Sequence, residues 1–151
     1  MQEKPTYELD EMLKGAKPEQ LSDYYKSNRD YMAAGEKAFY YYFKDVLEDK
    51  NILLKDVYSF AGVSASWGGK IISMERHTKN RDLIIRLCIA GHFNLDEINR
   101  ALKLYGMTPL YSKDMRDAFI IVAVNNRRYN LSDIDDILAS QRMQKLSVDE
   151  I

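Results

Sequence analysis

"LLKDVYSFAGVSASWGGKIISME", residues 53–75, decides how the chain is read. Val57, Tyr58 and Phe60 are the apolar contacts of a short helix from about Leu54 to Ala61, and Gly62 supplies the positive φ that closes it. Ser64 is an N-cap residue type. It is placed to start another short helix that runs to about Met74, with Ile71 and Trp67 turned inward. Two short helices joined by Gly-Val-Ser are either a pair of core helices or a device that sets the second helix in the major groove of DNA.

The flanks are helical as well. "EKAFYYYFKDVLEDK" carries Phe39, Tyr42, Phe43, Val46 and Leu47 at i, i+3, i+4, i+7 and i+8, one apolar stripe of an amphipathic helix. "NRDLIIRLCIAG" is apolar on almost every side, which predicts a central, buried helix. "NLDEINRALKLYG" opens on Asn94 with Glu97 three positions on and carries Ile98, Ala101, Leu102 and Tyr105 as its stripe. It stops at Gly106. Strand signals are absent, so the fold class is all-α. Residues 1–35 form a separate N-terminal helical extension, "TYELDEMLKG" and "PEQLSDYYKSNRDYMAAG", with Gly15 and Gly35 as stops. Residues 36–151 form the main domain.

The chain has 151 residues, 46% of them hydrophobic, enough for about one domain. No window approaches the roughly 18 uninterrupted apolar residues of a membrane span, and the acidic N-terminus lacks a signal-peptide layout. A cytoplasmic location is expected, with no membrane partner. The single cysteine, Cys88, is a small buried hydrophobe. His77 and His92 have neither a second cysteine nor an i, i+4 partner, so no metal site is expected, and no cofactor. No nucleophile and base, carboxylate pair or glycine-rich phosphate loop stands out, which argues against an enzyme.

Charge is unevenly placed. Residues 1–49 carry net −4, residues 50–86 net +4 and residues 87–151 net −1. The basic block is Lys50, Lys55, Lys70, Arg76, Lys79, Arg81 and Arg86 against three acids. Such a block is either a phosphate-contacting surface or a solvated helical face.

The C-terminal half repeats itself. "RDLIIRLCIAGHFNLDEINRALKLYGMTPL" (81–110) aligns with "RDAFIIVAVNNRRYNLSDIDDILASQRMQKL" (116–146), with one extra residue before the second "NL". The landmarks pair Arg81-Asp82 with Arg116-Asp117, Ile98 with Ile134, Leu102 with Leu138 and Leu110 with Leu146. Two copies of one hairpin bury a shared apolar face, the second capping the core. The two Arg-Asp pairs are read as helix-start ion pairs. Arg142 stands where the first copy has Gly106.

"LLKDVYSFAGVSASWGGKI", supported by "ERHTKNRDLIIRLCIAG", resembles the lambda-repressor-like, or XRE-type, helix-turn-helix family of bacterial and phage transcriptional regulators. "GMTPLYSKDMRDAFII" is similar to a subgroup, found chiefly in Gram-positive bacteria, in which a further hairpin follows. The resemblance covers Lys37 to Leu146. It implies a lambda-repressor-like helix-turn-helix core extended by a second helical hairpin, with the helix from Ser64 in the major groove of double-stranded DNA. The implied base-facing positions are Ala65, Ser66, Gly69 and Lys70, with Trp67 at the border of groove and core. The implied phosphate contacts are Lys55, Arg76, His77, Lys79 and Arg81.

One recognition helix covers only a few base pairs, so a homodimer on two half-sites about 34 Å apart is expected. The stretch departs from a strong base reader. It lacks Gln, Asn and Arg between Ser64 and Lys70, and Gly68-Gly69 weakens the helix by about 1 kcal/mol per glycine. The glycines either admit the sugar-phosphate backbone or make room for Trp67 against a neighbouring helix. The other reading is therefore a helical protein-interaction module that keeps the fold without reading DNA.

Overall fold

The computed structural model describes residues 37–147 and the isolated Lys14. The proposed extension at residues 1–35 lies, Lys14 aside, outside the described residues. Among the described residues the fold is helical throughout, without strands. The elements are α1 (Ala38–Asp49), α2 (Leu54–Ala61), α3 (Ala65–Ile72), α4 (Arg81–Ala90), α5 (Leu95–Leu104), α6 (Met115–Asn125) and α7 (Leu131–Ser140).

Helix α4 is the axle. Every residue from Leu83 to Ala90 is buried, and α2, α5 and α7 all pack against it. Burying an aliphatic side chain such as Ile84, Ile85, Leu87 or Ile89 contributes about 1.5 to 3 kcal/mol, so this helix is the main hydrophobic source of stability. Asn80 starts it by accepting from the Leu83 N–H at 3.1 Å. Helix α1 turns Phe39, Phe43, Val46 and Leu47 inward as its stripe predicts. Its rings meet Tyr105 and Phe93 at centroid distances of 4.8 Å each, which ties α1 to the first repeat. Asn94 and Glu97 close a full capping box at α5.

Two expectations about the opening stretch are corrected. Phe60 is 66% exposed and does not enter the core, where Val57 and Ala61 are the buried residues of α2. Helix α3 ends at Ile72, short of Met74, whose φ of 67° lies outside helical space.

The internal repeat extends to individual hydrogen bonds. The Arg81 Nε donates to the Thr108 carbonyl at 3.0 Å and the Arg116 Nε to the Gln144 carbonyl at 2.9 Å. The Leu110 N–H donates to Asn99 at 2.8 Å, and the Leu146 N–H to the aligned Asp135 at 2.7 Å. The Arg-Asp pairs, however, are crossed between the copies. Arg81 grips Asp117 through two bonds of 3.0 and 2.8 Å, and Arg116 grips Asp82 through two of 2.9 Å. Helix α4 correspondingly meets α7 while α5 meets α6. Reciprocal contacts of this kind describe a pseudo-twofold pair, which closes on itself, whereas a solenoid stacks head to tail.

Both copies end their second helix in the same way. The Met107 N–H bonds to the Leu102 carbonyl at 2.8 Å and the Met143 N–H to the Leu138 carbonyl at 2.9 Å, with Gly106 at φ 82° and Arg142 at φ 60° between them. A non-glycine residue in the left-handed region costs about 1 kcal/mol. Arg142→Gly should therefore raise the melting temperature and Gly106→Arg lower it, each by the equivalent of roughly 1 kcal/mol. Equal or reversed shifts in a thermal melt would contradict this.

Candidate nucleic-acid interface

Helix α3 has two unlike faces. Gly68, Ile71 and Ile72 are buried at i, i+3 and i+4, so this side is fixed to the core. Ala65 and Ser66 are exposed at the first turn, and Gly69 and Lys70 are half-buried one turn on. The Ser64 hydroxyl accepts from the Trp67 N–H at 3.1 Å, so its role is that of an N-cap. Gly62, at φ 72°, makes the left-handed turn that sends the chain from α2 into α3.

Trp67 is 45% exposed, which corrects its inward assignment. It lies one position, or about 100°, from the buried line of Gly68, and it borders a hollow of about 350 Å3 lined also by Val63, Ser64, Thr78 and Leu83. The room made by the glycines belongs to Tyr58. A Cβ on Gly68 would lie 2.6 Å from Tyr58 Cδ1 and 2.8 Å from Cε1, whereas one on Gly69 would meet only Tyr58 Oη at 3.5 Å. Gly68 is thus a packing glycine between α2 and α3, and Gly69 leaves the outer face flat.

The loop after α3 is anchored from behind. The Thr78 N–H donates to Tyr105 Oη at 3.0 Å, and the His77 ring stacks on Tyr105 at 4.5 Å. Burial raises the Tyr105 phenol above its ordinary range against the opposing effect of the Thr78 bond, so Tyr105 stays protonated. His77 remains exposed beside Arg76 and Lys79. Lys55, Lys70, Arg76 and Lys79 make no side-chain hydrogen bond or ion pair among the described residues, and all but Lys70 are well exposed.

The rest of the basic block is committed elsewhere. Arg81 holds Asp117 and the Thr108 and Pro109 carbonyls, which corrects its assignment as a phosphate contact. Lys50 pairs with Glu97 at 3.0 Å. Arg86 is only 2% exposed. An arginine inside the apolar run "LIIRLCIAG" was the available sequence signal for such a buried cation. The basic surface is accordingly smaller than the block of seven.

Burial pushes the Cys88 thiol far above its ordinary range, which leaves it unreactive. Among the described residues no helix is long and apolar enough to cross a membrane. No family model, curated protein or solved structure matches this chain.

Proposed function

We propose that this chain is a sequence-specific transcriptional regulator that binds double-stranded DNA as a homodimer and lays α3 in the major groove. One observation carries the reading. A capped helix is clamped along Gly68, Ile71 and Ile72 while Ala65 and Ser66 at its first turn are exposed and Gly69 and Lys70, one turn on, are partly so. An α-helix fits the major groove, and small side chains let it approach base edges closely. Ser66 and Lys70 supply donors, and Ala65 a methyl for thymine. Lys55 at the start of α2, with Arg76, His77 and Lys79 after α3, flanks the helix as phosphate contacts that fix its register.

The second reading, a helical interaction module, is favoured by the pairing of Arg81 and Lys50 with carboxylates of the same chain and by the burial of Arg86. Salt separates the two. With Lys55, Lys70, Arg76 and Lys79 on phosphates or base edges, the slope of log K against log salt is expected near −3 to −4 per protomer, from about −0.9 per neutralised phosphate. Lys79→Ala should weaken binding to all sequences and flatten the slope by about 1, while Lys70→Ala should relax preference at one base pair at a cost of about 1 to 3 kcal/mol. Fluorescence anisotropy across a salt series measures both. Salt-independent binding, or none at low salt, would leave the interaction module as the better account.

A further inference from the structure

Among the described residues one basic side chain is buried in the core, and its position bears directly on α3. Arg86 sits midway along α4, 2% exposed, and its side chain crosses to the end of α2. Its Nη2 and Nε both donate to the Ala61 carbonyl, at 2.6 and 3.2 Å. Ala61 is the last residue of α2, and carbonyls in the last turn of a helix lack partners within the helix. The turn satisfies its neighbours locally, because the Gly62 N–H bonds to Ser59 and the Val63 N–H to Tyr58. The Ala61 carbonyl receives the guanidinium instead, at the end of the helix where the dipole favours a cation. The position of a Cβ on Gly62 is 3.5 Å from Arg86 Nη2, so the same group also touches the left-handed turn.

We propose that Arg86 is the positioning residue of the recognition helix, fixing the direction in which the chain leaves α2 and hence the angle that α3 presents. Two fixings define that angle. Tyr58 against Gly68 sets the spacing of α2 and α3, and Arg86 on Ala61 pins the turn between them to α4. A planar guanidinium fork is directional where an ammonium is not, so lysine is an incomplete substitute. The desolvation cost of holding a cation here is why an apolar residue would be the simpler choice for packing alone.

The position of α3 can be read without DNA. Trp67 is the chain's single tryptophan and stands in the first turn of α3. Only the effect on DNA affinity rests on the function proposed above. In Arg86→Lys, far-UV circular dichroism should remain that of the wild type while the acrylamide quenching constant of Trp67 changes by about twofold. Arg86→Met, which fills the space without a donor, should change it further. Binding to the wild type's preferred duplex should fall by roughly tenfold in Arg86→Lys and more in Arg86→Met. Wild-type quenching in a folded variant overturns the proposal, as does loss of helicity in both variants, which makes Arg86 a residue of the fold alone. If the wild type binds no DNA, changed quenching still supports the positioning role while the DNA function fails.

Discussion

Asp117→Ala is expected to destabilise the fold by about 3 kcal/mol, roughly 10 °C in Tm for a domain of this size. The Asp117 side chain is almost buried and accepts two bonds from Arg81 and one from the Tyr111 N–H. Its removal leaves the Arg81 guanidinium without its carboxylate and one pillar of the pseudo-twofold missing. The same contacts give a pH dependence. Burial acts to raise the Asp117 carboxyl, but the bonds from Arg81 and Tyr111 and the charges of Arg81 and Arg116 outweigh it and hold the group below its ordinary value. A carboxyl lowered on folding contributes stability that is present above its unfolded value, about 4, and is lost as pH falls through the folded value. Urea melts from pH 7 to pH 2 should show a loss of stability below about pH 4 that is smaller in Asp117→Asn. An unchanged acid limb would mean that other carboxylates carry it.

Gly68→Ala should lower stability by about 1 to 3 kcal/mol, although alanine is the better helix former. The added methyl would overlap the body of the Tyr58 ring, which cannot swing aside as the tip of a flexible side chain can. Gly69→Ala has ordinary contact distances and should raise stability by up to about 1 kcal/mol. Thermal melts of the two variants should therefore shift in opposite directions. A stabilised Gly68→Ala would show that α2 and α3 are not packed through that glycine. Under the proposed function, Gly69→Ala, which adds a methyl to a partly exposed side of α3, should also bind DNA more weakly despite the firmer fold.

Much of the fold was legible because its signals are local. Gly62, Ser64 and the Asn94–Glu97 box each act within one helical turn, and each does what its residue type predicts. The repeat was legible because its landmarks recur in order, down to the shared φ of Gly106 and Arg142. What failed depended on partners distant in sequence. Periodicity places Trp67 and Phe60 on helices, but it does not say that Gly68 must face Tyr58, which turns Trp67 outward. Arg81 and Arg86 belong to a basic stretch in one dimension, whereas in three dimensions they bind Asp117 and the Ala61 carbonyl. The crossing of the Arg-Asp pairs likewise follows from a symmetry that no single copy displays. The proposed DNA surface thus keeps α3 and four of the basic side chains, while Arg81 is taken up by Asp117 and the Thr108 and Pro109 carbonyls.

Sequence-specific DNA binding is tested by selecting bound sequences from a random duplex DNA pool with the full chain, at low and at moderate salt. The expected result is a recovered motif of two inverted half-sites about one helical turn apart, roughly 34 Å, held more weakly as salt rises. A pool that stays random, with no duplex retained even at low salt, would contradict it.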